Sequence, residues 1–165
     1  MKTPWRNRIV GSGEEPPDQL VANPANWRTH PGNQRDALRG SLATVGWVQQ
    51  VLVNRTTGHV VDGHARVEEA LSRHEATVPV LYVDLTAEEE ALILATLDPI
   101  GAMAEADTIR LEELLAGLGD GHGDLQSLLN SMATPSFMPV GEDQQGRLDE
   151  KAPVTCPECG HVFQV

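Results

Sequence analysis

Apolar residues recur along this chain with two periods, and the points where one gives way to the other locate its elements. Ile9-Val10 opens a short edge strand to Gly13, followed by a polar, proline-bearing connection, Glu14 to Asp18. Residues 23–31 pack Pro24, Pro31, Asn23, Asn26 and Trp27 together and read as a structured loop, with Trp27 anchored to the core and Arg28 and His30 left free. The spacing of Ala37, Leu38, Leu42 and Val45 predicts a buried helical stripe from about Gln34 to Val45, stopped by Gly46. Trp47 to Asn54 then reads as a strand, which Thr56-Thr57-Gly58 turns into a second at Val60-Val61. A helix opens at once and runs to about His74, burying Val67, Ala70 and Leu71.

Val78 to Asp84 is the next strand, with Pro79 near its start, where a missing donor is tolerated. Thr86 and Glu89 have the spacing of a capping box, and Asp98-Pro99 is expected to end the helix they begin near Leu97. The first-turn acids Glu88, Glu89 and Glu90 suit the helix dipole. A further helical pattern from Asp107 predicts burial of Ile109, Leu111, Leu114, Leu115 and Leu118. A glycine-rich connector, 117–124, leads to a short helix, Leu125 to Met132, suited to a partner. The division expected is a first domain at 1–100, a helical extension at 101–132, a polar linker at 133–153 and a tail at 154–165.

Charge changes the picture. Net charge is −12, but residues 1–83 carry nine Lys/Arg against eight Asp/Glu, whereas residues 84–165 carry three against sixteen. The acidic half repels phosphate backbones, so any DNA contact is expected to be weak and confined to the first half. No apolar run reaches membrane-spanning length and the start has no secretion signal, which predicts a cytoplasmic chain without a membrane partner.

Chemistry concentrates where the Val60-Val61 strand meets its helix, at Asp62-Gly63-His64-Ala65-Arg66. Gly63 lets a ligand approach the backbone, and the first amides of the helix are unpaired donors at its positive end, a combination that favours phosphate. Arg66 adds a planar fork of donors, and Asp62 and His64 can bind, orient or exchange a proton. The same residues also satisfy a plain strand-to-helix turn, with His64 solvated and Arg66 paired to Glu68 or Glu69. Arg28 and His30 read either as exposed loop polars or as a second wall for the anion.

The tail, Val154 to Phe163, has the form of a zinc knuckle, with Cys156, Cys159 and His161 as local ligands between two short strands. The fourth ligand would come from a second copy in a homodimer, a partner chain or His122. The alternative is a reduced, unbound cysteine pair.

The order Asn26-Trp27-Arg28, Leu38 and Leu42, Gly46, Val51-Leu52-Val53, Val61-Asp62-Gly63-His64-Ala65-Arg66 and Val78-Pro79-Val80 resembles the ParB/sulfiredoxin superfamily over roughly residues 9–98. It looks closest to ParB-like (ParB-like nuclease) domains found among phage and bacterial DNA-modification genes. The resemblance implies a compact α/β (α+β) fold, a small mixed sheet with surrounding helices. It also implies a site for a nucleoside triphosphate with Mg2+, formed by Gly63, His64 and Arg66 with the upstream box at Asn26 and Arg28; His30 joins them only through the loop reading above. His64 stands where sulfiredoxin has its reactive cysteine, which excludes sulfinic-acid repair. It also stands, with Ala65, where partition proteins have a glutamate and an arginine, so their CTP preference does not carry over. Their DNA-reading helix-turn-helix has no counterpart in the acidic half. Asp98-Pro99-Ile100-Gly101 lacks the aromatic of an amino-methyltransferase.

The function expected is a ParB-like nucleotide-binding module acting in DNA modification, partition or packaging through a protein partner such as a DNA methyltransferase. The rivals are an enzyme, namely an NTPase, nuclease or small-molecule kinase with Asp62 or His64 as catalytic base, and a non-catalytic adaptor.

Overall fold

The structure, a computed structural model, describes residues 4–119, 121–132, 153–155 and 161–164. They fall into two compact units, Met1–Ala133 and Thr134–Val165. The first holds a four-stranded sheet in the order β1-β4-β2-β3, formed by β1 (Ile9–Glu15), β2 (Val51–Asn54), β3 (Val60–Asp62) and β4 (Val78–Val83). β4 pairs antiparallel with β1 and parallel with β2, and β3 closes a hairpin on β2. Because β2 and β4 lie inside the sheet, they read as near-continuous valine, and Val51, Val78 and Val80 have no exposure at all. Pro79 precedes the start of parallel pairing at Val80, so its missing N–H costs β2 nothing.

Helix α1 (Gly32–Thr44) and helix α2 (His64–Ser72) pack on one another and are tied by a buried carboxylate. Glu69, 1% exposed, accepts from Arg35 Nε at 2.8 Å and Arg39 Nε at 3.1 Å. This corrects the expected stripe. Val67 and Ala70 are buried as predicted, but Leu71 is exposed and Glu69 takes an inward place, since two guanidinium groups from α1 replace its water. On α1, Ala37, Leu38 and Leu42 are half-buried, Val45 is exposed beyond the helix end, and Gly46 takes the predicted left-handed conformation. The strand expected from Trp47 starts only at Val51. Trp47 instead packs against the core, and the Gln50 amide donates to the Val80 carbonyl.

Helix α3 (Ala87–Ala102) begins with the predicted capping box, Thr86 and Glu89 bonding each other's backbone amides. Its end differs from expectation, for it runs through Pro99 to Ala102. The loop after β1 holds this stretch. The indole N–H of Trp27 donates to the Leu94 carbonyl at 3.1 Å, and Arg28 pairs with Asp98 at 2.7 Å. Helix α4 (Thr108–Leu118) forms where predicted, yet Ile109, Leu114 and Leu118 are exposed, because no strand or helix among the described residues packs broadly on it. A 3-10 turn, Gly123–Leu125, and α5 (Gln126–Met132) return the chain to α1. In the second unit, β5 (Pro153–Thr155) and β6 (Val162–Gln164) pair antiparallel. No described helix is long and apolar enough to cross a membrane.

Candidate functional site

The β3–α2 junction turns on Gly63, whose φ of 98° is a left-handed conformation that L side chains rarely adopt. It stands as N-cap of α2 without side-chain capping, so the first amides of the helix are left to other acceptors. A Cβ at this position would lie 3.1 Å from Arg66 Nη2, 3.2 Å from Arg66 Nε and 3.3 Å from Val51 Cα. The arginine therefore folds back over the glycine, as the i, i+3 spacing on a helix allows. Its guanidinium is held by Asp62 at 2.7 Å, the Gln49 side chain at 3.1 Å and the Gln50 carbonyl at 3.4 Å.

A cleft of about 530 Å3 opens over this junction. Of the residues singled out in the sequence, Asp62, Gly63, His64, Arg66, Arg28 and His30 all line it. Asn26 does not. Its carboxamide oxygen accepts from the Arg28 amide at 3.3 Å, so it shapes the loop that carries Arg28. Arg28 is not the free loop cation expected. It is 13% exposed, paired with Asp98 and stacked 5.5 Å from the ring centre of Trp27, whereas Trp27 itself is 61% exposed. His30 meets the Gln34 side chain at 3.1 Å. The cleft thus carries two guanidinium groups, each balanced by one carboxylate. The Nε–H of both Arg28 and Arg66 is buried with no partner among the described residues.

His64 is buried, unlike the solvated first-turn residue of the plain-turn reading. Its Nε2 accepts the backbone N–H of Asn23 at 3.3 Å, which puts the ring proton on Nδ1. Burial lowers its pKa from the ordinary value. Asp62 opposes that shift, and Arg28 and His30 add to it. The ring is therefore neutral near pH 7, with its basic nitrogen already occupied.

Behind His64 lies a polar network that the sequence reading missed. Glu90, read there as a first-turn acid facing the dipole, is 6% exposed and accepts from Asn23 Nδ2 at 2.7 Å, Asn54 Nδ2 at 2.6 Å and the Thr57 hydroxyl, with His59 Nδ1 at 3.4 Å. Burial works to raise its pKa and these bonds outweigh it, leaving the carboxyl below its usual range. Asp98, read as a helix stop, was also missed as a cleft residue. The signal for both was faint: an acid one position past a capping box, and an acid before a proline.

A second hollow, about 590 Å3, lies between α1 and α5. It has one arginine, Arg39, bound to Glu69 and Asp36, whereas the slightly smaller junction cleft carries two arginines and the left-handed glycine at the start of α2, which makes it the better candidate site. Among the described residues no group of three His, Cys, Asp or Glu could hold a metal ion. Cys156 and Cys159 lie outside the described residues, and His161 immediately precedes β6.

No protein-family model and no curated protein matches the chain by sequence. Solved structures do match. The C-terminally truncated chromosome-partitioning protein ParB from Caulobacter crescentus, complexed with CTP-gamma-S, superposes with a TM-score of 0.57 at 21% identity, covering 77% of this chain and 81% of that one. A Pnob8-like ParB N-domain gives a TM-score of 0.48 at 17% identity over 96% of this chain and 59% of its own. The mixed sheet, its β3–α2 junction and the helices around them therefore give this chain a ParB-like fold.

Proposed function

We propose that this chain is a nucleotide-binding module that takes a nucleoside triphosphate in the junction cleft and serves a DNA-processing protein partner. One observation carries the reading: Gly63, at the N-terminus of α2 that no side chain caps, lines a single cleft together with the guanidinium-bearing Arg28 and Arg66. Those donors fit a polyphosphate. That the Caulobacter ParB was solved with CTP-gamma-S on a similar fold adds support.

Gly63 and the amides after it would cradle phosphate oxygens, and Arg66 and Arg28 would neutralise them, exchanging Asp62 and Asp98 for the stronger anion. The neutral imidazole of His64, with its proton on Nδ1, is suited to donate a hydrogen bond. It is poorly suited to act as a base, which weighs against the nuclease and kinase readings. With Asp62 and Asp98 engaged by guanidinium, these carboxylates are open to a magnesium ion only once the arginines move to phosphate. A bound triphosphate supplies a phosphoanhydride bond and a multiply charged handle. The role in DNA modification, partition or packaging rests on the motif order alone.

Thermal unfolding with each nucleotide tests the reading. Ligand at a hundredfold over its Kd stabilises by about 2.7 kcal/mol, a rise in Tm of about 5–10 °C for a chain of this size. Arg66→Ala and Arg28→Met remove the rise. No rise with any nucleotide in the wild type refutes it.

A further inference from the structure

Helix α1 carries a glycine at its middle, where glycine weakens a helix, and this Gly40 is its one buried residue among those described. The reason is a close approach. A Cβ at Gly40 would lie 3.0 Å from the Asp124 Cβ, 3.0 Å from the Leu125 amide nitrogen and 3.2 Å from the Asp124 carbonyl carbon. Two of these three are backbone atoms, so any side chain here must shift the 3-10 turn by a few tenths of an ångström or more. What the notch seats is a wall of the cleft. Leu125, and Leu128 one turn into α5, line the same space as Gly63 and Arg66, together with Ala37 and Leu38 of α1.

The cleft is thus divided by chemistry. Its lining offers two kinds of surface, donors at Gly63, Arg28 and Arg66 and aliphatic carbon at Ala37, Leu38, Leu125 and Leu128. A bare polyphosphate needs only the first. A nucleoside attached to it, with a flat and largely apolar base, needs the second. We infer that Gly40 is a positioning residue for nucleotide binding: by admitting the backbone at Asp124 and Leu125 against α1, it sets the aliphatic wall that covers the nucleoside part of the ligand. This rests on the nucleotide reading above and adds to it the segment 123–132, which the motif order did not include. Gly40 itself touches no ligand.

The test uses the full chain and two kinds of probe, the common nucleoside triphosphates and inorganic tripolyphosphate, with affinities measured by calorimetry. In Gly40→Ala the nucleotide Kd is expected to rise severalfold, and in Gly40→Leu more than tenfold, while tripolyphosphate binds within about twofold of the wild type. Leu128→Ser, which leaves the backbone notch intact and removes the apolar cover, is expected to show the same split between probes. It carries the test if Gly40→Leu does not fold. Amide hydrogen exchange of residues 123–132 without ligand should be faster in Gly40→Ala than in the wild type. Nucleotide affinity unchanged in both Gly40→Ala and Leu128→Ser overturns the inference, as does a parallel loss of both probes. A wild type that binds tripolyphosphate but no nucleotide overturns the wall and leaves the anion site standing. A wild type that binds neither overturns the nucleotide reading and the wall together.

Discussion

Replacing Gly63 by alanine perturbs the site in two separable ways. The backbone there is left-handed, at φ 98°, and an L side chain in that region costs about 1–2 kcal/mol. The added methyl also meets the Val51 Cα at 3.3 Å, a contact that only backbone movement can relieve, and the Arg66 guanidinium at 3.1–3.2 Å, which can swing away at the expense of its bond to Asp62. Overpacking of this kind costs about 1–3 kcal/mol. The sum, about 2–5 kcal/mol, lowers the urea midpoint by about 1–2.5 M if the m-value is about 2 kcal/mol/M. Two further variants separate the causes. Asparagine tolerates the left-handed region but carries the same Cβ, so Gly63→Asn should recover about 1 kcal/mol relative to alanine. In an Arg66→Ala background the guanidinium contact is gone, and Gly63→Ala should cost measurably less than in the wild type. Equal stability of Gly63→Ala and wild type refutes the reasoning outright. Strict additivity with Arg66→Ala refutes the placement of that arginine over the glycine.

Three further outcomes follow from the same contacts. Glu69 is held below its usual pKa because the Arg35 and Arg39 bonds outweigh the upward push of burial, so its stabilisation is complete above the unfolded pKa near 4.5 and is lost as pH falls through the folded value. In Arg35→Ala/Arg39→Ala burial acts alone, and urea unfolding should show the variant gaining stability on going from about pH 7 to about pH 5, a window in which Glu69 of the wild type contributes no change. His64, depressed by burial, contributes stability that is present above the unfolded value of 6.5 and is lost as pH falls through the folded one. His64→Gln should therefore flatten the stability profile between about pH 5 and 7, and an unchanged profile contradicts the assignment. For the tail, zinc content per chain should fall in Cys156→Ser if the Cys-Pro-Glu-Cys motif binds metal, and a wild-type ratio near one half indicates a site shared by two copies.

Local pattern carried the junction far: the strand, the glycine, the helix and the i, i+4 pair of Asp62 and Arg66 are all contained in five consecutive residues, and short-range geometry alone brings them together. Contacts across long separations were what the pattern did not reveal. Helical period favours Leu71 over Glu69 as an inward residue, and only Arg35 and Arg39, thirty or more positions earlier, reverse that preference. The rule that proline ends a helix fails at Pro99 for the same kind of reason, since Trp27 and Arg28 grip the helix at Leu94 and Asp98 from a loop. In α4 the period predicts the helix correctly and its burial incorrectly. Periodicity says which residues share a face, and only a partner decides whether that face is covered.

The arrangement that places His64 shows why the polar interior of this fold is tied to its site. Asn54, the last residue of β2, is wholly buried and bonds both the N–H and the C=O of Leu85, extending the β2–β4 register one rung past the end of β4. The same carboxamide donates to Glu90, which also collects Thr57 and His59 from the hairpin and Asn23 from the loop before Trp27. A buried carboxylate with this many donors fixes its neighbours more tightly than apolar packing would, because each lost bond leaves a desolvated group unpaired. One of those neighbours, Asn23, then presents its backbone N–H to His64 Nε2. The tautomer of this cleft-lining histidine is thus set through a helix N-terminus, a strand end and a hairpin whose residues Glu90, Asn54, Thr57 and His59 do not line the cleft. The uncapped junction and the neutral histidine beside it, its proton on Nδ1, are fixed from behind by one buried network.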